Sequence, residues 1–156
     1  MIGTELPELT IELTPTMVIS TALATRDFTP VHHDPELARA QGSKDIFLNI
    51  LTTMGLVQRY VTDWAGPGAV IRSIDVRLGV PAYAGDRLTF TGTVVQGADG
   101  EPAVRVRGRV SLGDHATATV RLTPGASGPG ASGPGASGPG ASGPGASGPG
   151  APGEAR

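Results

Sequence analysis

A change of hydrophobic period at Gly68 constrains this chain more than any other feature. Before it, Ile46, Ile50, Met54, Val57, Val61 and Trp64 recur at spacings of four, four, three, four and three, the repeat of one helical face. Phe47, Leu48, Leu51 and Leu56 widen that face. The pattern predicts a helix over residues 45–64 that is wrapped by other structure, and Ala65-Gly66-Pro67-Gly68 stops it. After Gly68 the period is two. Residues 69–79, 87–96, 103–112 and 115–123 each alternate or cluster as strands do, with Val70, Ile74, Val76 and Leu78 set against Arg72, Ser73, Asp75 and Arg77 in the first. Asp99-Gly100 and Gly113-Asp114 are hairpin signals between them. One long buried helix followed by four antiparallel strands is α+β: a curved sheet wrapped around a central helix. Arg105, Arg107 and Arg109 alternate with Val104, Val106 and Val110, which places the arginines on the outward face. A single sheet face wrapped on one helix leaves an open edge, so a second subunit is expected.

The N-terminal part is shorter in its signals. Residues 8–13 read as a strand, and Thr14-Pro15 as an N-cap with proline at the first helical position, leading into a helix through Met17–Ala24. Residues 25–34 are polar, contain Pro30 and read as a loop; 35–40 add a helical turn ending at Gly42. At the other end, residues 125–156 repeat GASGP five times and close on GAPGEAR. Such a segment cannot bury apolar surface to offset its ordering entropy, so it is expected to be a disordered tail beyond a single domain at 1–124. Its glycines recur at three and two, which excludes a collagen helix.

Several function classes fall away. The net charge is −2 with no block of like charge, so no nucleic-acid footprint is expected. There is no cysteine, which removes disulfides, thiolate nucleophiles and cysteine zinc sites. The acidic start lacks a basic segment followed by an apolar run, and no apolar stretch approaches the roughly 18 residues of a membrane span. A soluble, cytoplasmic protein is expected. No G-x-S-x-G elbow, Walker loop or dinucleotide fingerprint is present.

The chemistry concentrates in T25-R-D-F-T-P-V-H-H-D-P-E-L-A38. Asp27 stands five residues before His32 on one loop stiffened by Pro30. A carboxylate and an imidazole presented together suit general-base chemistry on water, the histidine taking the proton and the aspartate aiming the water. The spacing alone equally allows Asp27 to cap the loop and His32 to pack on its neighbours. Asp34 before Pro35 reads as an N-cap with Glu36 near the positive helix end. No metal site is expected from His32, His33 and Asp34, because adjacent residues do not readily turn both rings to one ion. His115 reads as a surface or packing residue, and the strand arginines Arg72, Arg77, Arg105, Arg107, Arg109 and Arg121 as a solvated face.

Residues 25–38 also resemble the hydratase-2 motif of MaoC-like hot-dog proteins, G-D-x-N-P-[hydrophobic]-H-x-D-x-x-x-A, through Asp27, Pro30, Val31, His32, Asp34 and Ala38. The wider stretch, TALATRDFTPVHHDPELARAQGSKDIFLNILTTMGLVQRYVTDWAGP, is similar to the small MaoC-like subunits of actinobacterial steroid side-chain enoyl-CoA hydratases. The resemblance runs over residues 7–123. It implies the hot-dog fold and hydration of a trans-2-enoyl-CoA, the subgroup being associated with steroid side-chain thioesters. Asp27 and His32 would be the catalytic pair and the backbone N–H of Asn49 the candidate donor to the thioester oxygen. No separate cofactor is implied, coenzyme A being part of the substrate. It further implies a second MaoC-like subunit carrying an OB-like domain, in a heterodimer or heterotetramer. Three residues depart from the pattern: Arg26 stands for its glycine, Thr29 for its asparagine, and Asn49 for the glycine at its helix start. A non-catalytic scaffold subunit and an acyl-CoA thioesterase are the alternatives on the same fold. The thioesterase reading needs a carboxylate on the central helix, where the expected helix offers only Asp45 and Asp63 near its ends.

Overall fold

The computed structural model describes residues 2–123; the expectation for a tail at 125–156 lies outside them. Strand β1 (Glu5–Glu12) leads into helix α1 (Pro15–Ala24), a 3-10 turn (Pro30–His32), helix α2 (Pro35–Ala40) and helix α3 (Ile50–Ala65). Strands β2 (Val70–Leu78), β3 (Arg87–Gln96), β4 (Pro102–Val110) and β5 (Gly113–Thr123) follow. The five strands form one antiparallel sheet in the order β1-β3-β4-β5-β2, and α3 packs across one face of it. This is the architecture that the change of period requires.

The core lies between that face and α3. Leu88, Phe90 and Val94 of β3, Val104 and Val106 of β4, and Val120 and Leu122 of β5 are buried with Leu56, Val57, Tyr60 and Val61 of α3. Tyr60 stacks on Phe90 at 5.7 Å between ring centroids. Glycine makes room in the sheet for both rings. A Cβ on Gly92 would meet the Tyr60 ring at 3.0 Å, and one on Gly108 would meet Phe90 at 2.9 Å. The arginines at 105, 107 and 109 are exposed on the far face as expected, two of them paired with Asp114.

The expected helix over 45–64 begins later, at Ile50. Asp45 lies in a bend and residues 46–49 run on without helix, held by a bridge between Phe47 and Tyr83 and by Leu48 N–H donating to Ala82 O at 3.0 Å. Ile46 and Leu48 are core residues all the same. The apolar run therefore continues across the boundary, and the boundary itself is marked by Asn49, whose side chain accepts from Thr52 N–H. Nor is α3 wrapped on every side, because Ile50 and Leu51 are exposed.

Smaller differences have local causes. β1 begins three residues before the expected Glu8, passing Pro7 through a register shift between Leu6 and Leu9; a proline is tolerated there because β1 is an edge strand. In β2 a shift between Ile71 and Ser73 breaks the alternation and leaves Val70 exposed rather than buried, and Leu78 is exposed at the far end of this edge strand. The β4–β5 turn is Ser111-Leu112, since Val110 already pairs with Gly113. The other expected signals hold: Thr14 caps α1, Asp34 caps α2, and Gly42 ends α2 in the left-handed region.

Candidate active site

The loop between α1 and α2 is launched by the end of α1. Arg26 N–H donates to Leu23 O at 3.0 Å and Asp27 N–H to Ala22 O at 2.9 Å, the paired bonds of a Schellman ending. That ending requires a left-handed residue, and Arg26 supplies it at φ 59°. Asp27 is therefore fixed in space by its own backbone. The 3-10 turn then brings His32 back over it, while His33 donates to Phe28 O at 3.0 Å and closes the loop.

Asp27 Oδ2 and His32 Nε2 lie 3.4 Å apart. His32 is buried and Asp27 is half-buried. His32 Nδ1 is 2.7 Å from Phe47 O. A carbonyl can only accept, so Nδ1 carries the hydrogen and the neutral ring presents its lone pair at Nε2, toward the carboxylate. The Phe47 ring stands edge-on to the imidazole at 4.9 Å and fixes its plane. Asp27 Oδ1 accepts from Thr29 N–H at 3.2 Å. Hydrogen bonding by Thr29 above all, then by Asn49, outweighs burial and holds the Asp27 carboxyl below its ordinary 3.8. The site thus pairs an ionised carboxylate with a ring nitrogen free to accept a proton.

All three residues singled out in the sequence converge here. The helix start brings in Asn49, buried at 2% exposure. Among the described residues, its backbone N–H meets no acceptor. Its side chain, which the sequence gave no reason to place, donates to Asp27 Oδ2 at 3.1 Å and to Thr25 Oγ1 at 2.8 Å. Behind it, Thr53 Oγ1 bonds His115 Nε2 at 2.9 Å, and His115 Nδ1 donates to Val80 O at 2.8 Å. Burial pushes the His115 imidazole below 6.5. His115 is thus a buried packing residue that ties β5 to the start of α3. The carboxylates that a thioesterase would need are elsewhere: Asp45 precedes the helix and pairs with Arg39, and exposed Asp63 pairs with Arg59.

Residues 2–115 match the family model of the MaoC-like domain. The chain belongs to the MaoC-like family. Over 123 residues it is 63% identical to the 3-oxo-4,17-pregnadiene-20-carboxyl-CoA hydratase beta subunit of Mycobacterium tuberculosis, covering 79% of this chain and 95% of that protein. The crystal structure of the ChsH1-ChsH2 complex from the same organism matches with a TM-score of 0.77 and 62% identity, over 80% of this chain and 98% of that one. The (R)-hydratase from A. caviae involved in PHA biosynthesis shares the fold at 17% identity and a TM-score of 0.71, over 79% of this chain and 96% of that one. Like its MaoC-like relatives, the chain is a hot-dog protein. No helix among its described residues is long and apolar enough to cross a membrane.

Proposed function

We propose that this MaoC-like chain is the catalytic subunit of a 2-enoyl-CoA hydratase acting on a steroid side-chain thioester. The observation that carries the reading is the 3.4 Å pairing of Asp27 Oδ2 with a His32 Nε2 whose lone pair is freed by the Nδ1 bond to Phe47 O. A water donating one hydrogen to each is held with its oxygen lone pairs directed away from both. As that oxygen adds to the β-carbon, His32 takes a proton from it. The electron pair of the double bond moves into the thioester, and its oxygen gains charge. Asn49 N–H, at the positive end of α3, is the donor for that charge. The proton on His32, delivered to the α-carbon, completes the addition of H and OH and restores the neutral ring. The ionised Asp27 stabilises the imidazolium in between. Coenzyme A enters as part of the substrate, and no other cofactor is called for.

The substrate class comes from the 63% identical relative, whose name is that of a steroid side-chain carboxyl-CoA hydratase subunit. The complex in which the 62% identical chain was solved supports a second subunit; on the family resemblance that subunit is a MaoC-like chain carrying an OB-like domain. A CoA thioester substrate supports a cytoplasmic location. The test is steady-state hydration by the two-subunit enzyme. Asp27→Ala and His32→Ala are each expected to lower kcat at least about 100-fold with the thermal transition retained. Turnover near wild type in either variant sinks the assignment and leaves the scaffold reading in its place.

A further inference from the structure

We infer that the Asn49 side chain is a positioning residue that sets the Asp27 carboxylate for proton transfer, a role distinct from that of its backbone N–H. The inference rests on the reading of Asp27 and His32 as the acid/base pair.

The amide can be oriented in only one way. Thr52 N–H needs an acceptor and finds Asn49 Oδ1 at 3.0 Å; that turns Nδ2 toward Thr25 and Asp27. Thr25 spends its own hydroxyl hydrogen on Thr21 O or Ala22 O, at 2.8 and 3.0 Å, so it accepts from Asn49. The second amide hydrogen is left for Asp27 Oδ2. All the polar atoms of this side chain are therefore engaged. The residue is also clamped from behind, because its carbonyl accepts Thr53 N–H at 3.1 Å and lies 3.2 Å from Thr53 Oγ1, which bonds His115.

The bonded oxygen matters. Oδ2, and not Oδ1, faces His32 Nε2. Thr29 N–H fixes Oδ1, but a carboxylate held by one oxygen can still swing about that contact. The Asn49 donor removes the swing and occupies one lone-pair direction of Oδ2. The remaining direction is then set for a hydrogen of the water shared with His32. A donor at this point also favours the ionised carboxylate. The glycine that the family pattern carries at this position offers a backbone N–H but no such amide, so this chain has an extra constraint on its aspartate.

The decisive variant is Asn49→Asp. Aspartate caps a helix as well as asparagine does, and the backbone N–H stays. The donor to Asp27 is replaced by a carboxylate. In the two-subunit enzyme, kcat is expected to fall on the order of 100-fold, the loss that follows a misplacement of about 1 Å, with KM within about threefold. The acid limb of the kcat/KM profile should move to higher pH, because the lost donor and the added negative charge both disfavour ionised Asp27. Asn49→Gly adds no charge and keeps the backbone donor; it is expected to lose kcat similarly with a smaller shift of the limb. If Asn49→Asp loses its thermal transition, Asn49→Gly decides alone. The inference is overturned if the folded variants keep kcat within about twofold and an unshifted limb while Asp27→Ala is inactive. Wild-type turnover by Asp27→Ala instead removes the acid/base reading on which it rests.

Discussion

Arg26 shows how a single residue can carry a cost for the site. Among the described residues it is the one non-glycine with positive φ, and it is exposed. Left-handed backbone costs such a residue about 1–2 kcal/mol, part of which a glycine gives back through its freer unfolded chain. Arg26→Gly is therefore expected to stabilise the fold by about 0.5–1 kcal/mol, read as a shift in the urea midpoint at unchanged slope. The sequence showed that Arg26 stands where the family has glycine, but not that the family glycine answers a helix ending. Spacing on one stiffened loop made Asp27 and His32 candidates, and the resemblance of residues 25–38 to the hydratase-2 motif singled them out. The Asn49 amide was not legible, since its partners are 22 and 24 residues away. His115 brings a pH dependence. Its folded-state value lies below 6.5, so as pH falls below 6.5 the unfolded chain takes the proton first and stability declines. Above 6.5 this contribution is fully present. Denaturation midpoints across pH 5–8, roughly the histidine range, should fall toward the acid side in the wild type and flatten in His115→Gln.

At the level of elements, the change of period was enough for the fold class, and the alternation of valine with arginine was enough for the face that β4 turns inward. Neither was enough for the start of α3. Apolar residues stand on both sides of Asn49, Ile46 to Leu48 before it and Ile50 and Leu51 after it, and extended backbone buries Ile46 and Leu48 as well as a helix would. What ends the extended segment is the cap at Asn49 and the pairing of Phe47 with Tyr83, and the second of these is a contact across 36 residues. The glycines of β3 and β4 carried a signal that composition hid. Gly92 sits under Tyr60, 3.0 Å from where a Cβ would stand, with Leu6 and Val104 at 3.3 Å. Gly92→Val should therefore overpack the helix–sheet contact and cost about 1–3 kcal/mol, measurable by chemical denaturation. A variant that unfolds at the wild-type midpoint would show that α3 can lift from the sheet without loss.

Across the whole molecule, chemistry and support occupy different parts of the chain. The sheet ends in β1 on one side and β2 on the other, and β2 presents exposed Val70 and Leu78. The second subunit expected from an open sheet agrees with the complex in which the 62% identical chain was solved. Residues 125–156 follow the last described strand with a composition that offers five serine hydroxyls and no ionisable side chain beyond Glu154 and Arg156. Deleting them is expected to leave the thermal transition and kcat within error of the full chain, and a loss of turnover on deletion would give the tail a part in the reaction. The site itself has a compact address. Thr25, Asp27, Thr29, His32, the Phe47 carbonyl and Asn49 all lie between residues 25 and 49, while the sheet lends no side chain to the reacting pair. In evolutionary terms the proposed acid/base centre is a cassette. A duplicated copy could lose the Asp27–His32 pair through changes in one short stretch of the gene while keeping every strand of the sheet, and so keep the fold without the pair.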